Sequence, residues 1–536
     1  VRGDGRQLHR QQVLDVQERS LTRACWGLAA ILVLGLALRL YGIHNPITDH
    51  PGWRQGDTAA IARNFATLRF NVFYPQTDYD GPSDNYVELE LQIVPFLAAA
   101  GYKLFGVHEV FGRLISIAFS LGTVGVLYWF GRLLFASTAA GLGAALAFAI
   151  FPGSVYYGRT FTPDTTMTFF LTAALYASAR WLVEGEIASW RRWWPAALLM
   201  MCAILAKPVA ALGLVPVAVL LLRRGGLAAL AKPQPWAFAA VAAAPYAAYD
   251  RYVSSHAEWH WASGIMRLHV IPSLLRSFVS LGALEQKLRH FVGAIDMLAR
   301  TMLGPVGFAL ALLGSVVLLA TRPVDRADRR WYVADFLFAW LLAGLAYAYV
   351  VVTVERVDYY LYPLVPLAAL LCSYVVVELG TRYAPARSPL LLGAGALALV
   401  LTIAVNETQI WAYYAYSRQN YRAARALDAA LPPDAIVVMA HYDPSLLYYI
   451  NRKGWEEDPL LWTPFDEESA IKKGARYFIA VENNRFRHNA ELYAWMQRFP
   501  VEHPEALWPL YHTDPALVLP GAEERWQDFR RREKTL

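Results

Sequence analysis

The chain has 536 residues, of which 56% are apolar and 17% charged, with a formal net charge of +6 and a positive mean hydropathy. That balance excludes an ordinary soluble globular protein and reads as a polytopic α-helical membrane protein followed by a small C-terminal α/β soluble domain. The basic surplus lies in short loops between apolar stretches, as the positive-inside bias produces, so no nucleic-acid partner is called for.

Residues 1–23 are polar and basic, with Arg2, Arg6, Arg10, Arg19 and Arg23, and form a cytoplasmic tail ahead of a first span from residue 24 to 41. That span is too long for a signal peptide and lacks its small-residue cleavage pattern, so it reads as retained. Further spans are expected at 110–130, 138–156, 164–183, 193–206, 209–222, 235–249, 302–320, 332–352, 359–379 and 390–405, about eleven in all. This parity keeps Arg132, Arg191-Arg192, Arg223-Arg224 with Lys232, Arg322-Arg326-Arg329-Arg330 and Arg382-Arg387 cytoplasmic. It requires that 89–105, which carries Glu90, Gln92, Pro95 and Lys103, lie on the outer interface as an amphipathic helix. Cys25, Cys202 and Cys372 fall within apolar spans and act as small hydrophobes.

The same parity exports two long loops, 44–109 and 250–301, of a length usually reserved for function. In the first, Ala60, Ile61, Phe65 and Leu68 recur at helical spacing, placing Asp57 in the first turn of a short helix. Asp57 there is either a cap or part of a ligand site, and Trp53, Arg54 and Gln55 immediately before it favour the ligand site. Asp78, Asp80, Asp84, Glu88 and Glu90 make the loop acidic, and Glu90 and Gln92 are candidates for contacting acceptor or sugar hydroxyls. No cofactor is called for: a divalent metal on these acids is the one alternative, and their spacing matches no hard-cation loop. His256 and His260 do not fit a zinc motif with Glu258 between them, and this stretch reads as an amphipathic surface helix anchored by its tryptophans.

Charges at bilayer depth mark substrate paths or buried partners. Lys207 in LAKP, Arg159 and Asp164 in YYGRTFTPD, and Glu355, Arg356 and Asp358 ahead of Tyr359, Tyr360 and Tyr362 all fall at outward turns. Each has a plain structural alternative: a snorkelling lysine, an Arg–Asp pair, solvated charge. Together they suggest a basic, aromatic-rimmed cavity suited to a lipid with an anionic head group. Residues 406–536 read as an extracytoplasmic α/β domain, with DAIVVMA and ARYFIAV as strands and ALDAAL and SLLYYI as helical pieces. It has no glycine-rich phosphate loop, so it is either a structural cap or a lid over an acceptor groove. The sequon Asn406-Glu407-Thr408 abuts the membrane and reads as coincidence.

The ordered set RQGDTAAIARNF, GRLISIAFSL, YYGRTFTPDTTMTFFLTAAL, LAKPVAALGLVP and DYYLYPLVPLAALL resembles the GT-C membrane glycosyltransferases, in the branch of the protein O-mannosyltransferases and the lipid A aminoarabinose transferases. It covers roughly residues 25 to 405. What the resemblance implies is a lumenal or periplasmic transferase that takes a sugar from a polyprenyl-phosphate donor to an acceptor hydroxyl on a lipid, glycan or protein. The Ala/Arg/Leu-heavy composition points to a bacterial inner membrane with the C-terminal domain periplasmic, and displacement of phosphate with one carboxylate base predicts inversion at the sugar carbon. By position, Asp57 matches the general base, and Lys207, Arg159 and Arg356 the donor-phosphate group, with Tyr360 as a further candidate beside them. Arg54, Gln55, Glu90, Gln92, Asp164 and Asp358 are the candidates for binding the acceptor and sugar. The first loop of the family often carries two neighbouring acids, whereas this chain has Gly56-Asp57-Thr58, which argues against a two-carboxylate or metal-holding version. Two readings from other classes stay open: a transporter of a lipid-linked sugar, which places polar groups on broken helices near the midplane, and a non-catalytic lipid-binding assembly factor.

Overall fold

The computed structural model describes residues 4–322, 328–383, 389–502 and 508–533, with side chains at all of these except 4–21, 381–392 and 533. Arg2, Arg326 and Arg387 lie outside the described residues, as do the side chains of Arg6, Arg10, Arg19 and Arg382. The chain divides into two compact units. The first gathers Val1–Ile43, Arg113–Asp250 and Ala262–Ala412, and the second His44–Gly112, Arg251–Trp261 and Tyr413–Leu536. The first outer loop, expected to belong with residues 24–405, therefore groups with the C-terminal residues.

The first unit is a helical bundle. Among the described residues six helices are long and apolar enough to cross a membrane: Thr22–Leu40, Val110–Phe135, Pro208–Gly225, Arg329–Glu355, Asp358–Gly380 and the run beginning at Gly393. A seventh is reached if the bent pair Leu281–Met302 and Gly304–Ala320 is one span. Helices also occupy the expected positions Thr138–Ile150, Asp164–Glu184, Trp190–Ala206 and Pro233–Ser254, but they are shorter or less apolar than a full span. The Asp358–Gly380 segment is central, with 78% of its most apolar window buried, whereas the run from Gly393 is 11% buried and faces outward. Both Thr138–Ile150 and Gly304–Ala320 pack on the central Val365–Tyr383 helix. The 114° corner before Gly304–Ala320 turns on Gly304 at φ +71°, a conformation only glycine adopts without cost.

Arg39, buried within the first span, donates to Ser120 Oγ (2.8 Å), Ser154 Oγ (2.8 Å) and the carbonyls of Gly35 and Ala149. An intramembrane arginine so fully hydrogen-bonded is a stitch between helices rather than a ligand site.

In the second unit two short strands, β1 (Val87–Glu88) and β2 (Trp259–His260), pair in parallel. The expected surface helix at 256–261 is thus corrected: Trp259–His260 is strand and a helix begins only at Trp261, because the Glu258 N–H is taken by the Tyr86 carbonyl (2.8 Å) and the Glu258 carboxylate accepts from the Asn85 N–H (3.2 Å) and the Ser83 hydroxyl. The helices Gly52–Thr67 and Ile93–Phe105 pack on each other through Ile61, Phe65 and Ala99, with Val87. Toward the C-terminus β3 (Ile436–Met439), β4 (Lys453–Glu456), β5 (Ala475–Ile479), β6 (Val501–Glu502) and β7 (Leu510–His512) form a sheet ordered β4-β3-β5-β7-β6. Pairing is parallel through β4, β3 and β5 and antiparallel beyond. Val438, Phe478, Phe486, Trp495 and Tyr511 fill the core on one face.

An exposed edge strand invites pairing with another chain; β4 avoids this by pairing with the outer loop. The Gly81 N–H donates to the Gly454 carbonyl (2.8 Å), the Gly454 N–H to the Asp78 carbonyl (3.0 Å), and Tyr79 bridges Gly454 in parallel register. Arg63 adds a hydrogen bond to the Tyr448 carbonyl (2.8 Å) and lies over the Tyr448 ring, and the Ile47 N–H reaches the Tyr449 hydroxyl (3.0 Å). These backbone and side-chain bonds are why the loop groups with the C-terminal residues.

The Gly52–Thr67 helix also touches the start of the Pro444–Ile450 helix through Gly56, where a Cβ would stand 2.6 Å from Ser445 N and 2.7 Å from its Cα. Backbone cannot yield as a flexible side chain does. Gly56→Ala is therefore expected to cost about 1–3 kcal/mol, read as a lower melting temperature and faster proteolysis after residue 412; an unchanged melting temperature would show that this contact is slack.

Candidate active site

Two polar clusters stand out, one in each unit. In the membrane unit, Pro163 ends the YYGRTFTP turn and Asp164 opens the Asp164–Glu184 helix. Lys207 follows the Trp190–Ala206 helix in an extended conformation, and Pro208 begins the next segment. These helices pack on each other, and Lys207 Nζ meets Asp164 Oδ1 at 2.6 Å. The sequence left an Arg159–Asp164 pair open; the partner of Asp164 is Lys207 instead. Asp164 is 1% exposed and its Oδ2 has no hydrogen-bond partner. The Lys207 ammonium lies 4.7 Å from the Tyr360 ring centroid and 5.2 Å from that of Tyr359, distances at which cation–π attraction contributes. The Tyr157 hydroxyl donates to the Asp358 carboxylate, and the Tyr157 and Tyr359 rings stand 5.6 Å apart.

Lys207, Asp164, Asp358 and Tyr360 are thus brought together, with Tyr157 as a member that sequence reading did not single out. Thr165, Thr166 and Thr168, which follow Asp164, also keep buried hydroxyls without partners; a threonine-rich helix start next to a charge is the signal that could have found them. Arg159 is fully buried, donates to the Gly42 carbonyl (3.0 Å) and lies over the Tyr156 ring. Arg356 sits in the left-handed region at φ +48° and is exposed.

In the second unit Asp57 lies in the second turn of its helix, which begins at Gly52 with Pro51 as its N-cap. The expected first-turn position is therefore off by a turn, and capping is not its role. Asp57 is 7% exposed, accepts a hydrogen bond from the Tyr79 side chain, and keeps Oδ1 buried without a partner. Burial drives its pKa from 3.8 to about 7; Arg54 and the Tyr79 bond oppose this, and Asp443 and Glu90 add to it. The balance leaves a carboxyl poised to exchange a proton near neutrality.

Arg54, one turn before Asp57, is ion-paired with Glu90. Gln55 donates to Asp49 Oδ1 (2.7 Å) and to the Asp49 carbonyl, so it secures the loop entry. Gln92 donates to the Glu90 carbonyl (2.8 Å) and leaves Oε1 buried without a partner. Arg63 with Asp78, and Asn64 with Asp78 and the Gln76 carbonyl, hold the acidic loop against the helix. Asp80 is pushed up to about 7 by burial and by Glu258 and Glu457, with Lys473 opposing. Among the described residues no group of three or more acids, histidines or cysteines is placed to hold a metal ion.

Residues 92–249 match the family model described as dolichyl-phosphate-mannose-protein mannosyltransferase. The structure is similar to that of ArnT from Cupriavidus metallidurans bound to undecaprenyl phosphate, at TM-score 0.60 and 14% identity, over 92% of this chain and 99% of that one. It is also similar to the archaeal oligosaccharyltransferase AglB from Archaeoglobus fulgidus in complex with an inhibitory peptide and a dolichol-phosphate, at TM-score 0.56 and 13% identity, over 93% of this chain and 75% of that one. No curated protein is similar enough in sequence to match. The chain is a multi-pass integral membrane protein, and its fold is the GT-C fold.

Proposed function

We propose that the protein is a membrane glycosyltransferase that moves a sugar from a polyprenyl-phosphate donor to an acceptor hydroxyl. The observation that carries this reading is Asp57: a buried carboxyl with a pKa of about 7 and an unused oxygen is built to take a proton at neutral pH. The fold, shared with one protein bound to undecaprenyl phosphate and another in complex with a dolichol-phosphate, supports the donor class.

In the proposed reaction Asp57 removes the acceptor proton as that oxygen attacks the anomeric carbon, and the bond from that carbon to the phosphate oxygen breaks. The sugar carbon inverts. Phosphate leaves as a stable anion and needs cations rather than a proton. Lys207 and Tyr360 are assigned to it, with Arg159 and Arg356 as further cations for the phosphate and the approaching head group. Asp164 keeps the Lys207 ammonium in place, and Asp358, held by Tyr157, faces the sugar. Arg54, Glu90 and Gln92 order the acceptor side, and Gln55 fixes the loop. We place the reaction on the periplasmic face of a bacterial inner membrane, the N-terminus being cytoplasmic.

The test uses the full chain in proteoliposomes with undecaprenyl phosphate mannose, glucose and galactose and a membrane glycolipid and protein extract as acceptors. Release of free undecaprenyl phosphate supports the proposal. Movement of the donor across the bilayer without release identifies a transporter, and binding alone an assembly factor.

A further inference from the structure

The geometry points to Glu456, on β4 of the C-terminal α/β fold, as a second catalytic carboxyl that holds the acceptor hydroxyl against Asp57. This rests on the assignment of Asp57 as the base. The missing second acid of the first loop would then be supplied from about four hundred residues later in the chain.

Three observations converge on the pairing. The loop carrying Tyr79 runs alongside β4 with Tyr79 opposite Gly454, and Glu456, two residues on, projects from the same face of the strand as Gly454. Trp455, between them, points the other way and packs against the α/β core. Tyr79 is hydrogen-bonded to Asp57, so the tyrosine side chain joins the Glu456 face of β4 to the base. Most tellingly, Glu456 Oε2 and Asp57 Oδ1 are both out of contact with solvent and both without a hydrogen-bond partner. Buried polar atoms left unsatisfied in a native fold call for an explanation, and a hydroxyl group between them satisfies both.

The charges around Glu456 agree. Asp57 and Arg54 come from the Gly52–Thr67 helix, Tyr79, Asp80 and Glu90 from the outer loop, Asp443 from the cap of the Pro444–Ile450 helix, Glu457 from the end of β4, and Lys473 from beyond the following helix. Asp57, Glu457, Asp443 and Asp80 all press the Glu456 proton on, and burial does so most, so its pKa stands well above the usual carboxylate range. Two carboxyls that repel each other away from water do not readily both ionise. In this pairing Glu456 carries the shared proton and Asp57 is left to act as the base. The protonated Glu456 donates to one lone pair of the acceptor oxygen, and the acceptor O–H donates to Asp57. In the reaction the proton passes to Asp57, the second lone pair forms the bond to the sugar carbon, and the electrons of the broken bond leave with the phosphate. Glu456 ends unchanged.

Two measurements on the full-length protein test this. Infrared difference spectra at neutral pH, wild type minus Glu456→Gln, are expected to show the carbonyl band of a protonated carboxyl; absence of that band overturns the inference and needs no substrate to do so. In the proteoliposome assay with the three undecaprenyl phosphate sugars, Glu456→Leu is expected to lower kcat/KM for the acceptor about 10- to 100-fold with the donor KM unchanged. Glu456→Gln, which still donates through its amide, is expected to recover most of that loss. Equal damage in both variants with lowered melting temperatures would mark a structural residue and overturn the assignment. Asp57→Asn separates the two ideas: a dead Asp57→Asn beside a wild-type-like Glu456→Leu removes only Glu456, whereas an active Asp57→Asn removes the base reading itself.

Discussion

Asp57→Asn is expected to lose turnover by roughly 10²–10⁴-fold while binding undecaprenyl phosphate as the wild type does, and to melt at a higher temperature above pH 7. Both effects have one cause. Folding buries this carboxyl and lifts its pKa from 3.8 to about 7, so the folded state holds a proton that the unfolded chain has released. Stability from this group is therefore greatest below about pH 4 and falls as pH rises to 7, where the charge must be borne in a dry pocket at on the order of 4 kcal/mol. Asparagine removes that cost along with the base, as happens when a strained functional group is neutralised. The pH profile of kcat/KM carries the same sign: activity needs the ionised form and falls on the acid side with a midpoint near pH 7. A wild-type acid limb near pH 4, or a substituted enzyme that still turns over, would remove Asp57 from the mechanism.

Lys207→Ala is expected to damage the fold as well as the function, and a second substitution separates the two. Alanine strands the Asp164 carboxylate, 1% exposed, without the ammonium 2.6 Å away; breaking a buried pair from one side costs about 3–5 kcal/mol. Lys207→Ala with Asp164→Asn removes the stranded charge and is expected to recover most of the melting temperature. Donor binding should stay weak, by about 10- to 100-fold for the loss of one charge-assisted hydrogen bond to phosphate. Direct binding of undecaprenyl phosphate to the purified variants checks this. If the double variant binds as tightly as wild type, Lys207 serves only as the counter-ion of Asp164.

Much of the frame is readable from local pattern. The helix around Asp57 follows from Ala60, Ile61 and Phe65 at helical spacing, and appears as Gly52–Thr67. The strands DAIVVMA and ARYFIAV appear as β3 and β5, because short runs of buried β-branched and aromatic residues bounded by turns favour extended backbone. Lys207 is conspicuous as a cation between two apolar runs. By contrast β4, Lys-Gly-Trp-Glu, has no strand-like pattern; it is extended because the outer loop and β3 bond to its two edges. Likewise nothing near Lys207 in sequence names Asp164 as its partner, and nothing near Asp57 names Glu456.

Composition and periodicity determined the membrane body, the turns that carry charge, and the α/β character of the end of the chain, since hydropathy and helical or strand repeats act within a few residues of one another. Tertiary structure decided which charge neutralises which, that the first long loop folds with the C-terminal strands, and how far Asp57 is removed from water. Those outcomes depend on desolvation and on contacts between residues distant in the chain, and neither quantity is written in any short stretch of sequence.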